Sequence, residues 1–173
     1  LPTFDIEYIF LNIRAKSIGE DIRLTVTCPD DRETQVPVTI YVDEIKVTKP
    51  EGHTNDVVID DKLTLRMKYP SLNQFVENNF STGDKSEEVV NKTFKVIADC
   101  MDTIYTEEDA WDVNDYSPSE RLDFVEKLSS KQYKEVEKFF ATMPKLTHTI
   151  EVINPNTKEK GSVVLEGLAD FFG

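Results

Sequence analysis

The stretch TFDIEYIFLNIRAKSI, residues 3–18, decides how the rest of the chain must pack. Its apolar residues recur at the spacing of an α-helix, and Thr3 is a suitable N-cap ahead of two acidic residues in the first turn. Because a helix that is apolar on almost every face needs more than one partner, residues 3–18 predict contacts beyond the chain's own core. Two apolar stripes run along the helix, one formed by Phe4, Tyr8, Leu11, Ala15 and Ile18 and the other by Ile6, Ile9, Phe10 and Ile13.

Few positions of this helix are left for solvent. They are the polar positions Asp5, Glu7, Asn12 and Arg14. Gly19 follows as a suitable C-terminal stop.

The rest of the chain predicts an α+β fold, because β-type alternation gives way to helical spacing and then returns. We expect a single α+β unit over 1–173. Within it, 20–69 forms a β-rich lobe, 70–145 a helical section, and 146–173 a β-hairpin with a terminal helical turn. The lobe includes a hairpin across residues 29–34 that resembles a degenerate zinc ribbon.

The helical section has several recognisable boundaries. A capping box at Ser71 precedes a helix carrying Leu72, Phe75, Val76 and Phe80, and residues 81–85 form a loop. A longer helix then starts at Ser86, and residues 106–116 form an acidic loop. Two shorter helices begin at Ser117 and at Ser129 or Ser130, and Pro144 ends the second. The longer helix has one stripe made of Val90, Phe94, Ile97, Met101 and Ile104.

Composition excludes several functional classes. The chain of 173 residues has 33 acidic and 20 basic residues, a net charge of −13. This charge argues against binding to nucleic acid or to anionic lipid, both of which require a basic surface. It suits either plain solubility or a basic partner. No apolar run is long enough to span a membrane, and two distant cysteines indicate a reducing, intracellular setting.

No residue pattern predicts catalysis or a cofactor. His53 lies in a loop where solvation is expected, and His148 is expected to face outward from a strand. The acidic loop lacks the glycine and ligand spacing of a calcium site. Cys28, followed by Asp31, supplies only half of a zinc knuckle. We therefore predict no catalytic, cofactor or metal site, and keep two alternatives: a metal-binding adaptor descended from a zinc ribbon, and a hydrolase that uses acidic residues.

Exposed apolar side chains are the remaining candidates for function. Trp111 in the acidic loop either anchors the loop to the core or lies in a partner interface. At the end of the chain, one of the adjacent residues Phe171 and Phe172 is expected to pack against the chain's own core and the other to remain exposed to solvent. The predicted partner interface comprises Ile9, Phe10, Ile13, Trp111, Leu168, Phe171 and Phe172.

Three segments resemble the T4-type bacteriophage baseplate hub family. They are FDIEYIFLNIRAKSIGE at 4–20, FFATMPK at 139–145 with the hairpin after it, and LEGLADFF at 165–172. The resemblance implies a further N-terminal segment, which agrees with the absence of an initial Met and predicts that this chain is part of a longer one. It also implies cysteine pairs near Cys28 in some relatives, where this chain has one cysteine.

The resemblance implies a structural component of the phage tail baseplate hub, or a chaperone-like factor for hub assembly. Such a protein is not an enzyme and has no cofactor. It acts by binding other hub or tail proteins as an oligomer or hetero-complex, without nucleic acid or membrane. The expected location is the host cytoplasm during assembly, or the virion tail.

Overall fold

The computed structural model describes residues 1–71, 73–74 and 86–172, with the backbone alone for 86–89. The amide of Ser71 donates to Oε1 of Gln74 at 2.6 Å, which is one half of the predicted capping box. The helix predicted over Leu72, Phe75, Val76 and Phe80, and the loop at 81–85, lie outside the described residues.

The described residues form five α-helices and nine strands in three sheets, and the predicted α+β class is confirmed. Short 3₁₀ turns occupy Val42–Glu44 and Val113–Asp115. The elements in chain order are α1 (Thr3–Ile18), β1 (Asp21–Thr27), β2 (Gln35–Tyr41), β3 (Lys46–Thr48), β4 (Asp56–Val58), β5 (Thr64–Met67), α2 (Ser86–Cys100), β6 (Met101–Tyr105), β7 (Ala110–Asp112), α3 (Pro118–Glu126), α4 (Ser130–Thr142), β8 (Lys145–Ile153), β9 (Lys160–Glu166) and α5 (Gly167–Phe172).

The chain divides into two compact units. The terminal unit comprises Phe4–Lys49 and Pro144–Gly173, and the central unit comprises Leu1–Thr3 and Pro50–Met143. The arrangement of a single unit over 1–173 stays a prediction.

The terminal unit packs α1 and α5 with two antiparallel sheets, β1–β2 and β3–β8–β9. Its strands alternate as the sequence predicts, so every second side chain enters one apolar core. The predicted hairpins at 21–41 and 146–166 are confirmed. The largest fully buried side chains of this core are Leu11, Ile22, Ile40, Ile45, Leu146 and Phe171.

The turns of the two hairpins in the terminal unit are joined through Asn154, which is buried. Its Nδ2 donates to both oxygens of Asp30 and, at 2.8 Å, to Oδ2 of Asp31. Hydrogen bonds to these carboxylates lower the pKa of both aspartates. Beside them Gly161 packs so closely that a Cβ there would lie 2.5 Å from Cγ of Pro29.

The central unit packs α2, α3 and α4 with the four-stranded antiparallel sheet β4–β5–β6–β7. Both short helices begin where the sequence predicts, because Ser117 and Ser129 each form a complete capping box. The core of this unit includes Val57, Leu65, Met67, Cys100, Met101, Val113, Val125, Val136 and Phe139.

Two predictions in the helical section are wrong. Residues 101–105 form strand β6 rather than the end of a helix, because they pair with β5 through Leu65 and Ile104. The acidic loop predicted at 106–116 contains strand β7 and a 3₁₀ turn. In both cases distant strand pairing overrides the local helical or loop pattern.

Neither histidine lies as predicted. His53 is buried, with Nδ1 at 2.9 Å from the Thr142 hydroxyl and Nε2 at 3.0 Å from the Tyr69 hydroxyl. These partners are 89 and 16 residues away in the sequence, so the local loop pattern could not predict the two hydrogen bonds. His148 lies on the core side of β8 together with Leu146, and its Nε2 is 3.9 Å from a carboxylate oxygen of Glu44.

Candidate protein-binding surface

Helix α1 has one covered face and one exposed apolar face. Leu11 is fully buried in the core of the terminal unit, and Ala15 is buried one turn further on. On the other face, Ile9 is 46% exposed, Phe10 53% and Ile13 59%. Single exposed apolar residues are ordinary, but three large ones on adjacent turns form a contiguous patch.

The patch continues onto the end of α5. The ring of Phe172 lies edge-on to that of Phe10, with centroids 6.4 Å apart and an interplanar angle of 86°. We call the set Ile9, Phe10, Ile13 and Phe172 the α1 surface.

The two terminal phenylalanines have different environments, as the sequence indicates. Phe172 is 39% exposed, whereas Phe171 is 1% exposed and belongs to the core. Leu168 is partly buried against the same core. Phe171 is therefore removed from the predicted interface, because the chain itself already covers its side chain.

Glu7 connects α1 to α5. Its Oε1 accepts the Leu168 amide at 3.5 Å, and Gly167 turns into α5 with φ of +71°, a conformation that favours glycine. Burial raises the pKa of Glu7, and the hydrogen bond from Leu168 opposes that shift. The prediction that Glu7 is left for solvent is thus wrong, because α5 packs over this carboxylate.

Arg14 also differs from its predicted solvent position. Its guanidinium carbon lies 4.9 Å from the centroid of the Phe172 ring, a cation–π geometry. Its Nη1 is buried and has no hydrogen-bond acceptor in the described part of the chain. The sequence signal was its position four residues after Phe10, which places both side chains on neighbouring turns of α1.

Trp111 belongs to the central unit and is a separate candidate. It lies on β7, the last strand of its sheet, and is 39% exposed. Its strand partner is Ile104. Trp111 is thus neither buried nor fully exposed, so its position is compatible with both of its predicted roles.

The cysteine that suggested half of a zinc knuckle lies in the core. Cys28 is 1% exposed, and burial together with the carboxylates of Asp30 and Asp31 raises the pKa of its thiol. A raised thiol pKa opposes the thiolate that zinc requires. Asp31 already accepts hydrogen bonds from Thr34 and Asn154. Across residues 1–71, 73–74 and 86–172, no three His, Cys, Asp or Glu side chains are grouped for a metal ion.

Comparison with protein families matches residues 1–173 to the family described as T4 bacteriophage base plate protein. The chain belongs to the T4 bacteriophage base plate protein family. The resemblance to the T4-type baseplate family is thereby confirmed over the whole chain. No curated protein and no solved structure matches it.

Membership of the T4 base plate family makes the chain a phage baseplate component and implies interaction with other phage baseplate proteins. The α1 surface is consistent with that role, because interfaces are built around buried apolar anchors. Among the described residues, no helix has the length and apolar character that crossing a bilayer requires.

Proposed function

We propose that this chain acts by protein–protein binding, as a component of the baseplate hub or as a factor that assists hub assembly. The α1 surface is the proposed contact. The proposal assigns the chain no reaction and no cofactor. We propose that the chain acts in the host cell during tail assembly, in the virion tail, or in both.

The observation that carries this proposal is the exposure of Ile9, Phe10 and Ile13 on one face of α1. Burying a fully exposed side chain of this kind contributes about 1.5–3 kcal/mol, and about half of that remains to be gained here because each of the three is about half exposed. Three of them at the centre of an interface supply the apolar anchors that dominate binding energy. Edge-on contact with Phe172 fixes the ring of Phe10 before a partner arrives, which lowers the entropy cost of binding.

Arg14 supports the same surface from within the chain. Its buried Nη1 lacks an acceptor within the described residues, and an unpaired buried donor is costly. The guanidinium instead lies over the Phe172 ring, 4.9 Å from its centroid, and so supports that ring within the α1 surface.

The test is co-purification of the tagged chain with baseplate proteins of the same phage, produced together. The variant changes Ile9→Ser and Ile13→Ser, which remove two exposed apolar side chains without opening the core. We expect at least about tenfold less retained baseplate protein than with the unmodified chain.

The matched control changes Ile153→Ser and Val164→Ser, two residues of the same unit that are 57% and 54% exposed. This control is expected to retain baseplate protein normally, and all three chains are expected to melt within a few degrees of one another. Equal retention by the α1 variant and the unmodified chain would remove the α1 surface from the proposal.

Mass spectrometry of purified virions then separates the two forms of the proposal. A hub component is expected in the particle in fixed proportion to other baseplate proteins. An assembly factor is expected in infected cells and absent from the particle.

A further inference from the structure

Within the part of the chain that the structure describes, no strand pairs with the outer edge of β7. Strand β7 is the last strand of the sheet β4–β5–β6–β7, and all three of its residues are exposed. The Thr106 amide donates to the Asp109 carbonyl, so the backbone N–H and C=O of Asp109 point toward β6. The backbone groups of successive residues in a strand point in alternate directions. Those of Trp111 therefore also point toward β6, whereas those of Ala110 and Asp112 point away from the sheet.

On one face of the sheet, a row of apolar side chains runs across the four strands and ends at the exposed edge of β7. Val57, Leu65, Ile104 and Trp111 are direct partners on successive strands and therefore share that face. Exposure rises along the row, from 0% at Leu65 to 39% at Trp111. A further strand would add an apolar side chain next to Trp111 and continue the row.

The other face presents carboxylates at the same edge. Asp56, Arg66, Thr103 and Asp112 form the corresponding row. Arg66 is already paired with Asp56, at 2.8 and 3.2 Å, so Asp112 ends the row with a negative charge that no cation within this row offsets.

The turn between β6 and β7 adds further negative charge on this face. A groove of about 400 Å³ beside the turn is lined by residues that include Tyr105, Glu107, Glu108 and Asp109. Residues 96–120 contain eight acidic residues and no Lys, Arg or His. A side chain that enters from an added strand on this face would therefore meet mainly carboxylates and the paired Arg66.

From these two faces we propose that the outer edge of β7 binds an extended basic segment of a partner protein by strand addition. In that segment Lys or Arg alternates with apolar residues. The apolar side chains cover Trp111, and the cations face Asp112 and the Glu107–Asp109 turn. The proposal rests on the proposed function in that the partner is another baseplate protein, and it concerns a different unit of the chain from the α1 surface.

Trp111 is the single tryptophan of the chain, so its fluorescence reports directly on this edge. The probe is a short peptide of alternating Lys and Val with blocked ends, titrated into the full chain. We expect a blue shift of the Trp111 emission as water leaves the indole, with a dissociation constant on the order of 10–100 µM at low salt. The same peptide with Glu in place of Lys is expected to cause no shift.

Two variants separate charge from strand pairing. Glu107→Lys with Glu108→Lys is expected to weaken peptide binding by at least about tenfold, because these substitutions replace attraction by repulsion. The matched control, Glu126→Lys with Glu135→Lys, makes the same change in net charge at exposed sites of α3 and α4, and is expected to weaken binding by less than about twofold.

Ala110→Pro tests the backbone. It removes an amide that points away from β6 and so preserves the ladder inside the sheet. We expect at least about fivefold weaker binding with little change in melting temperature. If Ala110→Pro disturbs folding, hydrogen exchange of the unmodified chain gives the same information: bound peptide should protect the Ala110 and Asp112 amides.

Three results would overturn the proposal: no change in Trp111 emission up to about 1 mM peptide, equal losses in the charge-reversal variant and its control, or no protection of the two amides at saturation. None of these results affects retention through the α1 surface. Conversely, loss of the proposed function in co-purification would leave peptide binding at β7 intact.

Discussion

The α1 surface and the outer edge of β7 present two different kinds of contact. The α1 surface offers side chains only, because the backbone groups of a helix are satisfied inside it, and all four of its members are apolar. The β7 edge offers backbone donors and acceptors, one partly exposed indole and a concentration of carboxylates. The first surface suits a close-packed interface, and the second suits an extended segment with complementary charge.

The difference also decides how each surface is recognised. Side-chain spacing predicts Ile9, Phe10 and Ile13 of the α1 surface, since helical periodicity shows that two faces of this helix are apolar, and the structure adds Phe172. The β7 edge exists only because β6 pairs with β5, about forty residues earlier in the sequence. Its function can therefore be stated only after the sheet order is known.

The largest expected effect contrasts the two faces of α1. Leu11→Ala is expected to destabilise the terminal unit by about 3 kcal/mol, because it leaves a cavity in a fully buried site. Phe10→Ala is expected to cost less than about 1 kcal/mol, since the ring is half exposed and Ala favours the helix. Urea unfolding monitored by circular dichroism measures both. A cost for Phe10→Ala as large as that for Leu11→Ala would show that Phe10 is part of the core.

A smaller effect distinguishes the two surfaces by salt. Raising the salt from about 50 mM to about 500 mM is expected to weaken binding of the Lys–Val peptide about tenfold, because charge attraction at the β7 edge is screened. Retention of baseplate protein through the α1 surface is expected to change by less than about twofold over the same range. Parallel titrations at both salt concentrations measure this contrast, and equal salt dependence would contradict it.

The smallest effect concerns the carboxylate beneath α5. Burial raises the pKa of Glu7 above its usual value of 4.5, so the folded chain holds this proton more tightly than the unfolded chain. Stability is therefore lost as the pH rises from 4.5 through the raised value, and it stays lower above that window. Glu7→Gln carries no charge and keeps an acceptor for the Leu168 amide, so it is expected to raise the melting temperature at pH 7 by about 2 °C.

At pH values below 4.5 the difference between the Glu7→Gln variant and the unmodified chain is expected to disappear. Thermal melts across this pH range measure it. Glu107→Gln, an exposed carboxylate at the other surface, is the control and is expected to leave the melting temperature unchanged. A lower melting temperature for the Glu7→Gln variant at pH 7 would show that the charge of Glu7 stabilises the fold.

Much of the fold follows from local signals. The N-cap serines Ser117 and Ser129, the alternation of β1 and β2, and the spacing within residues 3–18 each decide an element without help from distant residues. These elements lie where the sequence predicts them.

The errors share one physical cause. Met101 and Ile104 suit a helix stripe and a buried strand equally well, and only pairing with β5 selects the strand. His53 was expected in solvent because Thr142, 89 residues away, is invisible to a local pattern. For the candidate surfaces, the exposure of Ile9, Phe10 and Ile13 agrees with the sequence, whereas Phe171 does not, because one of two adjacent phenylalanines had to face inward.

The division of the chain into a central unit and a terminal unit sets the order of events during synthesis. Residues 50–143 leave the ribosome before 144–173, so the central sheet has its strands available while the terminal unit still lacks β8 and β9. The early hairpin β1–β2 closes its turn through Asp31 and Thr34, but the hydrogen bonds from Asn154 and the burial of Leu11 beside Phe171 come later. A chain stalled just after Met143 would therefore have β1 and β2 but lack Leu146, Leu165 and Phe171 from the core around Leu11, which makes the arrival of residues 144–173 the step that completes this core.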